Sequence, residues 1–109
     1  MKLIAAIIQP HKLDEVKSAL VNLGDIAMTS TEVSGFGRQK GHLEIYRGTE
    51  YVIDFVRKIK LEIVCRDDQY DSIIHVISET ARSGKIGDGK IFIQNVSNAY
   101  RIRTAETGD

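Results

Sequence analysis

The chain has 109 residues and a mass of 12.2 kDa, the size of one compact domain, 1–109, with no second. Fifteen Lys and Arg cancel fifteen Asp and Glu, and a net charge of zero argues against a general nucleic-acid binder, which needs a cationic surplus. A single cysteine, Cys65, excludes an internal disulfide and any Cys-rich zinc site, so a reduced, cytoplasmic domain is expected.

Residues 1–8 read as a strand whose apolar side chains point both ways, as in a central strand. The longest apolar run, 3–8, is far too short to cross a bilayer, so no direct membrane insertion is expected. Gln9-Pro10 ends the strand, because proline cannot donate to a ladder. Leu13, Val16, Leu20 and Leu23 then recur at helical spacing, with Gly24 as the stop. Residues 27–36, rich in Thr, read as a second strand. Residues 58–66 alternate: Ile59, Leu61, Ile63 and Cys65 face one way, Lys58, Lys60, Glu62 and Arg66 the other. Asp67-Asp68 offers an N-cap for a second helix striped by Tyr70, Ile73, Ile74, Ile77 and Ala81. A glycine-rich loop over 84–89 and a strand over 91–96 follow, and the polar tail 97–109 is expected to be mobile at its end. The order βαββαβ predicts a ferredoxin-like α+β sandwich with an antiparallel sheet. Such a small domain buries only about 65% of its unfolded surface, which favours oligomerisation.

Between the second and third of these strands lie roughly 20 residues, 37–57, where hairpin connections usually take 2–5. A projecting functional loop is the better reading than an extended hairpin, although 43–46 has strand character. Chemistry concentrates in three places. The stretch 82–90 (RSGKIGDGK) combines glycines, whose amides can converge on an anion, with Lys85 and Lys90. Its G-x-x-x-x-G-K spacing imitates a P-loop, but Ile91 stands where Ser or Thr should ligate magnesium, and the loop runs from helix to strand. Arg101 and Arg103 project to the same side if their stretch is extended, and paired guanidinium groups suit phosphates. Residues 35–41 (GFGRQKG) form a second glycine cluster with the wrong spacing for a dinucleotide fingerprint. His11, His42 and His75 are too scattered for metal ligands, and Cys65 reads as a small buried thiol.

With these clusters in view, the chain resembles the PII signal-transduction proteins over essentially its whole length. The likeness rests on Thr31-Glu32-Val33, on 35–42 (GFGRQKGH), 46–55 (YRGTEYVIDF) and 84–92 (GKIGDGKIF), and on Arg101-Ile102-Arg103-Thr104. The resemblance implies a homotrimer that senses nitrogen, carbon and energy status. Residues of about 37–55 would be its T-loop, about 82–90 its B-loop and about 97–109 its C-loop. ATP or ADP would bind between subunits against Thr29, Gly37, Arg38, Lys58, Gly87, Asp88, Gly89 and Lys90, with Arg101 and Arg103 reaching in from the neighbour. Mg²⁺ held by ATP and Gln39 would then create a 2-oxoglutarate site with Lys58, Gly37, Lys40, Gly41 and Gly87. Tyr51 would be the residue that a nucleotidyltransferase uridylylates or adenylylates, and Arg47 would contact a partner such as an ammonium channel.

The chain departs from the family pattern at Val56-Arg57, where Leu-Pro is common, and at Gln9 and His11, where Lys and Phe are frequent. None of these is a carried-over ligand position. The leading expectation is a non-enzymatic regulator. The alternative is a PII-like binding module for another adenylyl nucleotide or a small anion such as bicarbonate. A weak ATPase is disfavoured, since no general base or water-positioning residue can be named.

Overall fold

The computed structural model describes residues 1–36 and 56–108, together with the backbone pairing of 44–46 and 49–51. In chain order the elements are β1 (Lys2–Ile8), α1 (Leu13–Leu23), β2 (Thr29–Gly35), β3 (Glu44–Tyr46), β4 (Thr49–Tyr51), β5 (Val56–Cys65), α2 (Tyr70–Ala81) and β6 (Gly89–Asn95). Four of the strands form one antiparallel sheet in the order β2-β5-β1-β6. β1 lies inside it, paired with β5 from Lys2↔Cys65 to Ile8↔Ile59 and with β6 from Lys2↔Asn95 to Ile8↔Gly89. β2 closes one edge, pairing Thr29↔Glu62 through Gly35↔Val56. Strands β1 and β2 therefore run parallel with β5 between them, and β5 and β6 with β1 between them. This split βαβ repeat is the ferredoxin-like arrangement expected from the sequence. The structure thus has the predicted α+β fold.

Alternation builds the core. Ile4, Ala6 and Ile8 of β1 and Ile59, Leu61, Ile63 and Cys65 of β5 share one face, against Val16 and Leu20 of α1 and Ile73, Ile77 and Ala81 of α2. Burying each large aliphatic side chain contributes roughly 1.5–3 kcal/mol. The other face carries no helix among the described residues. Leu3, Ala5 and Ile7 are half-buried there, while Val64 and Phe92 are 52% and 53% exposed.

Local contacts differ from the sequence reading at three points. Helix α2 has Gln69 at its N-cap with no side-chain cap bond. The predicted caps are engaged elsewhere: Asp67 pairs at 3.0 Å with the N-terminal ammonium of Met1, and Asp68 at 3.1 Å with Arg66. The ammonium also holds the Asp67 carboxyl below its usual range, first through the hydrogen bond and then through its charge. The tail is folded: Asn98 Oδ1 accepts from Gly108 N, and Tyr100 bridges to Thr107. Arg101-Ile102-Arg103 is not extended but starts a tight turn, closed by Ala105 N donating to the Arg101 carbonyl at 2.8 Å. Within the long connection, β3 and β4 pair with each other, Glu44↔Tyr51 to Tyr46↔Thr49, as a separate ribbon. No helix among the described residues is long and apolar enough to cross a membrane.

Candidate functional site

The loop between α2 and β6 folds around its own carboxylate. Asp88 Oδ2 accepts from the amides of Ser83 (2.8 Å) and Gly84 (2.9 Å), and Oδ1 accepts from the Ser83 hydroxyl. These bonds, the Ser83 hydroxyl foremost, hold the Asp88 carboxyl below the ordinary carboxylate range. Two of the amides that the sequence offers to an outside anion are therefore already occupied. The Lys85 amide is engaged too, donating to the Ser83 hydroxyl oxygen at 3.2 Å.

Two glycines in this stretch are dictated by backbone geometry. Gly89 has φ +115°, and a Cβ there would stand 1.7 Å from the carbonyl oxygen of Ile7. Gly87 has φ +95°, and its Cβ would press on Gln9 Nε2 at 3.2 Å. The first lets β6 close onto β1, and the second turns the loop so that its carbonyl faces the sheet.

That carbonyl receives two side chains. Gln9 Nε2 donates to Gly87 O at 2.7 Å and Lys58 Nζ donates to it at 2.5 Å. Alternation put Lys58 on the polar face, yet it is only 7% exposed, because the loop folds over it. Burial lowers its ammonium pKa from 10.5, and the charge of Asp88 pushes partly back. Among the described residues, no carboxylate forms an ion pair with Lys58. A buried cation held by a carbonyl alone is a favourable place for an anion.

More positive charge gathers around it. Register places Lys90, Ile7, Lys60 and Thr31 in one row across the helix-free face, next to the end of the sheet where Lys58 and Gly87 meet. Lys60, to which the sequence reading gave no role, belongs to this corner and lies 4.0 Å from Glu62. Gln9 was also missed. Nothing local marks it, since its partner lies 78 residues away.

The other candidates are not brought together in one chain. Thr29 sits on edge strand β2, level with Phe92 of the opposite edge and three strand spacings, roughly 14 Å, from it. β6 starts beside Ile8 and ends beside Lys2, so its length, roughly 20 Å, separates the loop from the start of the tail. Arg101 and Arg103 are exposed on that tail, around an Ile102 that is 95% exposed. Gly37, Arg38, Gln39, Lys40, Gly41, His42 and Arg47 lie outside the described residues, and Tyr51 is placed by its backbone only. Of the remaining expectations, Cys65 is buried, and burial raises its thiol pKa. His11 and His75 are exposed.

Comparison with known proteins agrees with this architecture. The sequence matches the family described as Nitrogen regulatory protein P-II over residues 1–106. It is 57% identical over 109 residues to the Nitrogen regulatory protein P-II of Pasteurella multocida, covering 100% of this chain and 97% of that one. The protein of the same name from Rhizobium meliloti is 56% identical over 108 residues, 99% of this chain and 96% of its own. Nitrogen regulatory protein P-II 1 of Escherichia coli is 57% identical over 109 residues, 100% and 97% of the two chains. The chain belongs to the nitrogen regulatory protein P-II family.

Proposed function

We propose that this protein is a non-enzymatic, cytoplasmic regulator that reports nitrogen, carbon and energy status. It binds ATP or ADP in clefts between the subunits of a homotrimer. With Mg²⁺-ATP in place it takes up 2-oxoglutarate, and its T-loop passes the ligand state to partner proteins. The observation that carries this reading is Lys58, a buried ammonium with no ion pair among the described residues, beside a glycine-rich loop and two further lysines. Such a corner suits a phosphate chain at Lys90 and a carboxylate at Lys58.

The separation of the site residues supports the subunit boundary. Arg101 and Arg103 would complete the corner from a neighbouring subunit, with Thr29 lining the same cleft. The exposed Val64 and Phe92 give the helix-free face a reason to be covered by another copy. A non-enzymatic role is supported by Asp88, which spends both carboxylate oxygens on the loop itself and is not free to act as a base. Gln39 would join the ATP-bound metal, whose charge would offset a dianion that has Lys58 as its clear cation. Arg38, Gly37, Lys40 and Gly41 would close over the ligand, and Arg47 and Tyr51 would face the partner, an ammonium channel or a nucleotidyltransferase.

A shared site predicts complementation. Arg103→Ala and Lys90→Ala proteins should each bind ATP poorly. Mixed trimers of the two should recover roughly a quarter of the sites, the share in which both residues are intact under random assembly. No recovery on mixing, measured by calorimetry after confirmed subunit exchange, contradicts the shared cleft. A PII-like module for a different adenylyl nucleotide or a small anion would show the same corner but no uptake of 2-oxoglutarate with ATP.

A further inference from the structure

Residues 83–88 are anchored to the sheet at one atom. Among the described residues, the only hydrogen bonds from this stretch to the sheet end are those that Gly87 O accepts from Gln9 (2.7 Å) and Lys58 (2.5 Å). The hydrogen bonds of Asp88 knit the loop to itself. A carbonyl oxygen has two lone pairs, so both donors bind together. We propose that Gln9 is a positioning residue that keeps the Gly87 carbonyl, and with it the glycine-rich loop, seated when Lys58 turns to a bound carboxylate. This rests on the reading of Lys58 as an anion ligand given above.

The two donors are unequal in what else they want. The Lys58 ammonium is buried against a neutral oxygen, and a carboxylate would add a charge–charge attraction that the carbonyl cannot supply. Its departure would leave a part-buried acceptor unsatisfied if it were the sole donor, and that penalty would oppose ligand binding. Gln9 removes the penalty. Its neutral amide also suits the position, because Nε2 and Nζ flank the same α-carbon, 3.2 Å and 3.5 Å from where a Gly87 Cβ would stand. A lysine at position 9 would set a second ammonium there, in repulsion with the first. Gln9 thus makes the Lys58 bond dispensable to the loop.

Amide hydrogen exchange of residues 83–90 in the ligand-free protein tests this with Gln9→Leu, Lys58→Met and the double variant. Gln9→Leu should raise exchange by less than about tenfold, the scale of one neutral hydrogen bond, and Lys58→Met should leave the loop largely closed because Gln9 still holds the carbonyl. The double should exceed the product of the two, because only there is the carbonyl orphaned. If Lys58→Met alone opens the loop as far as the double, Gln9 holds nothing and the proposal is overturned. Should the double not fold, Gln9→Asn, one methylene shorter, replaces Gln9→Leu in the Lys58→Met background. On the Mg²⁺-ATP-loaded protein, Gln9→Leu should also weaken 2-oxoglutarate binding several-fold; unchanged binding counts against the proposal. If the wild type takes up no 2-oxoglutarate at all, the reading of Lys58 fails, and the exchange data still decide the role of Gln9.

Discussion

Replacing Gly89 by alanine should be far more damaging than its small size suggests. Two effects add. The residue has φ +115°, and holding an L-residue in the left-handed region costs roughly 1–2 kcal/mol. The new Cβ would also stand 1.7 Å from Ile7 O and 2.9 Å from the Ile7 carbonyl carbon, both backbone atoms of the central strand. Relief requires moving β6 from β1 at the Ile8↔Gly89 pair, an overpacking cost of roughly 1–3 kcal/mol. The sum, roughly 2–5 kcal/mol, corresponds to a fall in Tm of about 8–20 °C at about 4 °C per kcal/mol. Gly84→Ala is the control, since Gly84 has φ +84° but nothing within 4 Å of its Cβ, so strain alone remains. Thermal melts should be run at one protein concentration, because association shifts the midpoint. If Gly89→Ala melts within about 4 °C of Gly84→Ala, the close approach of the loop to β1 is not what the account requires.

Lys58 gives a pH signature. Its folded pKa lies below 10.5, so between that lowered value and 10.5 the unfolded chain binds the extra proton, and stability rises with pH through this window. Wild type should therefore gain stability relative to Lys58→Met as pH is raised toward 10.5, read from urea midpoints; a flat difference would contradict the buried ammonium. If the proposed partner is an ammonium channel, Tyr51→Phe should bind it as wild type does but resist nucleotidylation, whereas the modified wild type should bind poorly because of its added charge and bulk. Equal channel binding by modified and unmodified protein would remove Tyr51 as the switch.

Local periodicity made the fold legible, and non-local contacts hid part of the site. Val16 and Leu20, and Ile73 and Ile77, are buried because helical spacing put them on one stripe. Alternation likewise assigned Ile59, Leu61, Ile63 and Cys65 to the core face. Strand ends were less readable: β5 begins at Val56 and β6 at Gly89, earlier than side-chain patterns indicate, because ladder bonds extend past the apolar residues. Asp67 looked like a cap because the sequence does not show that the N-terminal ammonium lies beside it. The burial of Lys58 depends on a loop 29 residues away, and the anchoring role of Gln9 on the same loop. The turn at Arg101 to Ala105 carries a positive φ at Ala105 (+61°), which residue preference gives no reason to expect.

Calorimetry of 2-oxoglutarate into the protein, with and without Mg²⁺-ATP, tests the central claim most directly. A corner with Lys58 as its clear carboxylate-pairing cation needs the ATP-bound metal before it can hold a dianion. Uptake should appear with Mg²⁺-ATP and be undetectable without it. Equal affinity in the two conditions, or no uptake in either, would contradict the account.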